Sequence, residues 1–210
     1  KDRGANKVYG MLHGIQGLLQ ERYVDLEDHI KNDLDIELLK RTPSAYLGSC
    51  RFKLPDISQD REIYDKIFDI LNKLEIEYFF YIGGNDSMDT IKKLSDYSLL
   101  NGSNIRFMGV PKTIDNDLWG TDITFGFQSA INVATNAIDC IHTTAASHGR
   151  VFIVEVMGHK VGWLTLYAGI AGGADIILLP EIPYDINVVI SALRERTRQG
   201  KRFSILAVAE

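Results

Sequence analysis

The chain has 210 residues, of which 45% are hydrophobic and 24% are charged, and its formal net charge is −5. This composition is ordinary for a folded globular protein, and the length allows one large domain or two small ones. The mild acidity gives no electrostatic reason to expect binding to nucleic acid or to an anionic membrane. The two cysteines lack disulfide or metal spacing and no apolar run reaches the roughly 20 residues of a membrane span, so we expect a cytoplasmic protein.

Short apolar runs rich in β-branched and aromatic residues recur along the chain and predict buried parallel strands. They cover residues 8–12, 78–82, 105–110, 151–156, 175–179 and 203–208. Helical patterns separate several of them, at 63–74, 131–145 and 187–199, the last followed by Gly200. Strands that alternate with helices of this length predict βαβ units, and therefore an α/β fold whose parallel sheet is covered on both faces.

Two stretches, 41–60 and 117–128, follow neither the helical nor the strand pattern. We expect a boundary at the end of the second stretch, within 124–128, which divides the chain into lobes 1–126 and 127–210. The sequence starts on a pattern like the tail of a helix and stops directly after a strand. Because ligands bind beyond the carboxyl ends of strands in open α/β sheets, we expect part of a site to be missing.

A glycine pair and three polar residues follow the second predicted strand. Gly83 and Gly84 would let the backbone approach a ligand closely. Asn85, Asp86 and Ser87 would open a helix whose N–H groups attract phosphate, although a tight turn with an Asx or Ser cap explains them about as well. Asp86 would repel an anion bound there unless a cation lay between them. The stretch therefore indicates a site that discriminates between ligands.

The stretch PKTIDND follows the third run and concentrates charge at a strand end. Asp115 and Asp117 are two residues apart, so in an extended segment they would point the same way and share one site. Two neighbouring carboxylates need a metal, a lysine or a shared proton, and Lys112 and Mg²⁺ are the candidates. One carboxylate could take a proton from a substrate hydroxyl while the lysine offsets charge on a moving phosphoryl group. The alternative is a polar turn held by Asx hydrogen bonds.

A third motif, VEVMGHKVGWL, ends the fourth predicted strand at Met157 and Gly158 and leads into a further helix. His159 and Lys160 would meet an anion at the start of that helix, although a histidine after a strand is more often structural.

Three isolated residues give weaker signals. Arg51 and Arg150 suit bidentate phosphate binding, and Glu181 suits sugar hydroxyls. Each of them is by itself more often a surface residue or a member of an ion pair, so none supports a function alone.

In this order, GGNDS, PKTIDND, VEVMG and PE resemble the phosphofructokinase family, and the resemblance extends over nearly the whole chain. It implies two Rossmann-like lobes with mostly parallel sheets in three α/β/α layers, the first binding the phosphoryl donor and the second the sugar phosphate. In that family a phosphoryl group passes to the C1 hydroxyl of fructose 6-phosphate, a step of glycolysis.

The resemblance also assigns roles residue by residue. Asp115 matches the general base for the sugar hydroxyl, and the metal positions for Mg²⁺ match Asn85 and Asp117. The positions implied to bind the sugar are Thr113, Asp115, Met157, Gly158, His159 and Glu181. Arg51 matches an arginine near the transferred phosphate. Arg150 matches one that reaches the sugar 6-phosphate in a neighbouring subunit, which implies a homo-oligomer with shared active sites.

Two positions bear on the donor. Asp86 and Lys112 stand where ATP-dependent members typically carry glycines, and members with both changes resemble the pyrophosphate-dependent branch. There the aspartate fills the space of a nucleotide α-phosphate and the lysine supports transfer from pyrophosphate, with Gly84 and Ser87 completing the donor site. The expectation is a reversible pyrophosphate–fructose-6-phosphate phosphotransferase. An ATP-dependent 6-phosphofructokinase and a non-catalytic sugar-phosphate-binding subunit remain alternatives, as does, on the residues alone, a Mg²⁺-dependent phosphohydrolase.

Three departures from the family pattern qualify this expectation. Asn85 stands where the family usually has a metal-binding aspartate, which would weaken metal binding. His159 replaces the more usual arginine, which would lower affinity for the phosphoryl group or make it pH-dependent. The family's first glycine-rich loop and its C-terminal sugar-phosphate segment are absent from these 210 residues, so we expect this piece alone to be inactive.

Overall fold

The computed structural model describes residues 4–210, and the chain divides into two units, Lys1–Val110 and Pro111–Glu210. The division falls earlier in the chain than the predicted boundary after residue 126. The reason is that the irregular stretch belongs with the second unit: Thr124 is hydrogen-bonded back to Thr113 and Asn116. The assignment of donor and sugar to separate lobes remains a prediction.

The first unit contains most of the short elements and two long helices. In chain order they are β1 (Tyr9–Met11), α1 (Gly14–Leu19), β2 (Tyr23–Asp25), α2 (Leu26–His29), α3 (Asp33–Arg41), α4 (Arg61–Lys73), β3 (Tyr78–Gly83), α5 (Asn85–Leu100) and β4 (Arg106–Thr113), whose last residues continue into the second unit. Strands β1 and β2 pair antiparallel, and β3 neighbours β4.

The core of the first unit explains why α4 is a helix. Asp60 caps it by accepting a hydrogen bond from the Ile63 N–H at 3.2 Å. Its buried side chains lie at helical spacing and pack in one cluster with α5 and β3. The members on α4 are Tyr64, Ile67, Phe68, Ile70 and Leu71. Burial of each large apolar side chain contributes about 1.5–3 kcal/mol, so this cluster fixes the start of α5 beyond the end of β3.

The second unit has a parallel sheet at its centre. Its elements are β5 (Phe125–Gly126), α6 (Phe127–His148), β6 (Val151–Val156), α7 (Trp163–Ala171), β7 (Ile176–Leu178), α8 (Ile186–Arg198) and β8 (Ser204–Ala209). Strand β8 lies between β6 and β7 and is parallel to both. Ile205 and Ala207 of β8 pack in one buried cluster with residues of α6 and α7. Val156 pairs with Ala209, so the carboxyl ends of β6 and β8 meet at one edge.

The α/β fold class with parallel sheets is confirmed, and a strand overlaps each predicted run. Three details differ. The first predicted strand pairs antiparallel, with β2, which at three residues was too short to predict. The two-residue strand β5 was also missed. Alternate residues of β3 are exposed in the described part of the chain, whereas coverage of both faces was expected; Phe80 is 58% exposed. Within residues 4–210 no helix is both long and apolar enough to cross a bilayer.

Candidate functional site

The start of α5 places three predicted site residues in its first turn. Gly84 is the N-cap, and no side chain caps the helix, so the alternative of a turn with an Asx or Ser cap is wrong. A Cβ on Gly83 would lie 2.1 Å from the Ser87 Oγ, which explains the first glycine by close packing. Asp86 is exposed in the first turn, where the helix dipole favours a carboxylate. Its charge is thus presented at the helix start without serving as a cap.

Tyr81, which the sequence did not single out, lies beside this helix start. Burial raises the pKa of the Tyr81 hydroxyl, and the neighbouring Cys50 raises it further, while hydrogen bonds with the Ile15 backbone and with Ser87 oppose the change. Arg51 is exposed and follows Cys50 directly. The sequence feature that could have identified Tyr81 is a tyrosine, with its polar hydroxyl, in an otherwise apolar strand, two positions before the glycine pair. Tyr81 therefore connects the end of β3 with the loop that carries Arg51.

The loop after β4 carries the charged motif in the second unit. Lys112 is exposed on β4 and pairs with Phe125 of β5. The expected extended geometry of the two aspartates is wrong, because Asn116 between them has a φ of 56° and turns the backbone. The Asp115 N–H donates to the Thr113 Oγ1 at 3.1 Å. The loop is thus a defined turn that still brings both carboxylates to one place.

Asp115 is the electrostatic centre of this group. Burial is the main cause that raises the pKa of its carboxyl, and the charge of Asp117 raises it further. A hydrogen bond from Thr113 and the positive charge of His159 act in the opposite direction. Glu210, which the sequence did not single out, also raises the pKa. The structure therefore brings three predicted site residues, Thr113, Asp117 and His159, to the half-buried carboxylate of a fourth, Asp115.

Packing and strand pairing explain how residues so far apart in sequence meet. Ile114, beside Asp115, packs against a buried cluster that includes Phe127 and Val156. Val156 ends β6 and is followed by the turn that carries His159. The Glu210 N–H donates to the Val156 carbonyl at 3.0 Å, which places Glu210 at the same sheet edge. The edge follows from the parallel register, in which strand ends coincide.

The turn after β6 is strained. His159 and Lys160 both have positive φ, at 44° and 70°, and the Val161 N–H donates to the Gly158 carbonyl at 3.1 Å. Two consecutive central residues with positive φ are typical of a type I′ turn, whose positions glycine and asparagine usually occupy. A Cβ on Gly158 would lie 2.3 Å from the Val161 carbonyl oxygen, so only glycine fits there. Strain of about 1–3 kcal/mol per residue persists where the surrounding structure imposes it, often at functional sites.

Glu181 has a structural contact that the sequence did not predict. Its Oε1 accepts a hydrogen bond from the Gly162 N–H at 2.7 Å, and Gly162 is the N-cap of α7. A Cβ on Gly162 would lie 2.7 Å from the Glu181 Oε2. One oxygen of the carboxylate is therefore held by the helix start, and a side chain at position 162 would crowd the other oxygen.

Met157 and Arg150 are two further predicted site residues of the second unit. Met157 is 62% exposed and begins the strained turn. Arg150 is exposed and precedes β6, whereas His159 follows the carboxyl end of the same strand. A six-residue strand spans about 20 Å. Arg150 is therefore not part of the group around Asp115, and its role toward a neighbouring subunit remains a prediction.

The carboxylate pair can hold a magnesium ion only with help from other ligands. Among residues 4–210, no group of three or more His, Cys, Asp or Glu side chains is placed to hold a metal. Asp115 and Asp117 lie close enough for one to raise the pKa of the other, and a divalent cation would relieve that repulsion. Because Mg²⁺ is usually bound by one or two carboxylates together with water and substrate phosphates, the pair fits an ion that arrives with phosphate.

The sequence model of the family described as Phosphofructokinase matches residues 1–210. The chain belongs to the phosphofructokinase family. A protein of Spirochaeta thermophila named ATP-dependent 6-phosphofructokinase is 42% identical over 210 residues, which cover 97% of this chain and 54% of that protein. One of the same name from Corynebacterium efficiens is 44% identical over 203 residues, covering 97% and 55%.

One solved structure agrees with the family, and its name gives a different phosphoryl donor from the names of these two relatives. The pyrophosphate-dependent phosphofructokinase from Nitrosospira multiformis matches with a TM-score of 0.88 at 31% identity. The match covers 100% of this chain and 53% of that one. The chain spans about half the length of the curated relatives it matches.

Proposed function

We propose that the whole protein transfers a phosphoryl group from pyrophosphate to the C1 hydroxyl of fructose 6-phosphate, giving fructose 1,6-bisphosphate and phosphate. The observation that carries the proposal is the group around Asp115, in which Thr113, Asp117 and His159 surround a half-buried carboxylate. Open α/β sheets bind ligands beyond the carboxyl ends of their strands, where this group lies.

Asp115 would act as the general base. Its carboxylate takes the proton of the C1 hydroxyl as that oxygen bonds to phosphorus, and the bond from phosphorus to the bridging oxygen of pyrophosphate breaks. Burial followed by the charge of Asp117 raises the pKa of Asp115, which makes it a stronger base than an ordinary aspartate. Lys112, exposed at the end of β4, would offset the charge on the departing phosphate.

The choice of pyrophosphate rests on Asp86. A carboxylate presented in the first turn of α5 would repel the additional phosphate of a nucleotide, whereas it would leave pyrophosphate room. The pyrophosphate-dependent neighbour from Nitrosospira multiformis supports this reading. A second candidate, transfer from ATP, is favoured by the names of the Spirochaeta and Corynebacterium relatives.

A donor comparison tests the choice. The full-length protein would be assayed for fructose 1,6-bisphosphate with Mg²⁺ and either pyrophosphate or ATP, together with Asp86→Gly and Asp86→Asn. We expect turnover with pyrophosphate in the native protein and a gain of ATP turnover in Asp86→Gly, with Asp86→Asn separating charge from volume. Asp96→Gly, the same change at an exposed position of the same helix, controls for the helix destabilisation of roughly 1 kcal/mol. Native turnover with ATP alone would establish the second candidate instead.

Magnesium and a homo-oligomer are part of the proposal. When bound, Mg²⁺ would supply positive charge to the phosphate oxygens, with Asp117 and Asn85 as the positions that would hold it. Arg150 would reach the sugar 6-phosphate of a neighbouring subunit. If the full-length chain binds fructose 6-phosphate and turns over neither donor, it is instead a non-catalytic binding subunit, as the Asn85 and His159 departures allow.

A further inference from the structure

The loop of residues 114–124, between β4 and β5, is held by the side chain of Asn116. The Asn116 Oδ1 accepts a hydrogen bond from the Thr124 N–H at 2.9 Å, and its Nδ2 donates to the Asp122 carbonyl at 3.2 Å. The two bonds require the same orientation of the amide, since one uses its oxygen and the other its nitrogen. One side chain therefore fastens the first third of the loop to its end.

Thr124 extends this fastening to the strand. It is 2% exposed, and its Oγ1 donates to the Thr113 carbonyl at 2.8 Å. The same Oγ1 lies 3.2 Å from the Asn116 Oδ1, but a hydroxyl has one proton, and the shorter contact takes it. Thr113 and Asn116, the residues on either side of the segment that carries Asp115, are thus both tied to one buried threonine.

The backbone at Asn116 gives a second, independent reason for its identity. Its φ of 56° lies in the left-handed region, which asparagine tolerates better than most residues. This turn separates Asp115 from Asp117, so it determines how the two carboxylates are placed relative to each other. The asparagine therefore sets the path of the backbone and also fixes the loop by its amide.

We propose that Asn116, acting through Thr124, is a positioning residue that holds Asp115 where it can accept the proton of the substrate hydroxyl. The inference rests on the proposed function of Asp115. The Asn116 amide is hydrogen-bonded within the loop. We therefore expect it to affect the rate of the transfer step and to contribute little to substrate affinity. A displacement of the reacting groups by about 1 Å can cost on the order of 100-fold in rate.

The test is kinetic and uses the full-length protein. Asn116→Gly keeps the left-handed backbone at no steric cost and removes the amide. We expect kcat to fall by about 10- to 100-fold, with the KM for fructose 6-phosphate changed less than about threefold. Glu75→Gly is the matched control, since Glu75 also has a positive φ, of 53°, in a turn of the first unit. It should leave both constants unchanged.

A second pair keeps the test decisive if the glycine variant does not fold. Thr124→Val removes the hydroxyl with nearly the same volume, and Thr124→Ser restores it. We expect kcat to fall by about tenfold in the valine variant and to stay near native in the serine variant. Equal kcat values for the two, or an Asn116→Gly variant within twofold of native kcat, would overturn the inference.

Asp115→Asn in the same assay separates this inference from the function beneath it. If the native protein turns over and Asp115→Asn does not, a normal Asn116→Gly variant refutes the positioning role alone. If Asp115→Asn retains native kcat, the proposed base is wrong and the positioning role falls with it. A rise in KM without a fall in kcat for Asn116→Gly would likewise contradict the inference.

Discussion

The start of α5 and the loop of residues 114–124 both present aspartates beyond a strand, yet they are built differently. At α5 the carboxylate of Asp86 stands exposed in a regular helical turn that no side chain caps. In the loop, Asp115 is half-buried and lies between residues tied together by Thr124. A group that excludes a ligand by charge needs only to be present, whereas a group that moves a proton has to be held in place.

The largest effect is expected where this comparison predicts chemistry. Asp115→Asn removes the base and keeps the shape, so kcat should fall by about 10²- to 10⁴-fold, the usual contribution of general base catalysis. Single-turnover kinetics of the full-length protein with saturating fructose 6-phosphate would measure it. Asp122→Asn, the same change at an exposed position in the same loop, should stay near native. Equal losses in both variants would mean that the loop tolerates no substitution and that Asp115 has no special role.

How much of this comparison was visible in the sequence depends on the range of the contacts involved. Strand β6 was predicted with its observed bounds, because six consecutive residues carry the pattern. Strand β5 was not, because its two residues become a strand only through pairing with Lys112 and Thr113. The sequence located Asp115 by its charged neighbours.

The surroundings of the candidate site could not be predicted in the same way. The pattern did not reveal that Asn116 is left-handed, and that single dihedral angle invalidated the expectation of an extended segment. The bond from Gly162 to Glu181 joins residues 19 positions apart and follows from the packing of α7, which no local pattern encodes. Glu210 reaches the group only because β6 and β8 end in register.

The next effect tests the strained turn that carries His159. Gly158→Ala places a Cβ 2.3 Å from the Val161 carbonyl oxygen, so the turn has to open and His159 moves. We expect kcat/KM for fructose 6-phosphate to fall by about 10- to 100-fold, the range for displaced site residues. Native kinetics in Gly158→Ala would show that the turn has no part in the site.

Lys160→Gly, in the same turn, should relieve strain at a left-handed position and raise the melting temperature.

A smaller effect is expected at Gly162. Gly162→Ala would crowd the Glu181 Oε2 at 2.7 Å and weaken the bond that orients this carboxylate. If Glu181 binds the sugar, KM should rise by about three- to tenfold while kcat changes little, the pattern of lost uniform binding. Gly169→Ala, in the helix that Gly162 caps, is the matched control: its Cβ would lie 2.8 Å from Ile177 of β7, and its nearest neighbours belong to Ile177 and Ala207. Both variants should have a lower melting temperature than the native protein, and only Gly162→Ala should change KM.

The smallest effect concerns the pH dependence of kcat/KM. Removing the charge of Asp117 and removing that of His159 should shift the pH profile in opposite directions. The base works as a carboxylate, so kcat/KM falls as pH drops through its pKa, which burial and then Asp117 raise. Asp117→Asn removes that repulsion, so the pKa of Asp115 falls and the acid limb of the profile moves to lower pH. His159→Gln removes a charge that lowers the pKa, so the limb moves to higher pH wherever the imidazole is protonated. The position of the limb, not its height, is the measurement, because either change also alters the maximal rate. Shifts in the same direction would mean that these two charges do not set the pKa of Asp115. Its raised pKa would then be explained by burial alone.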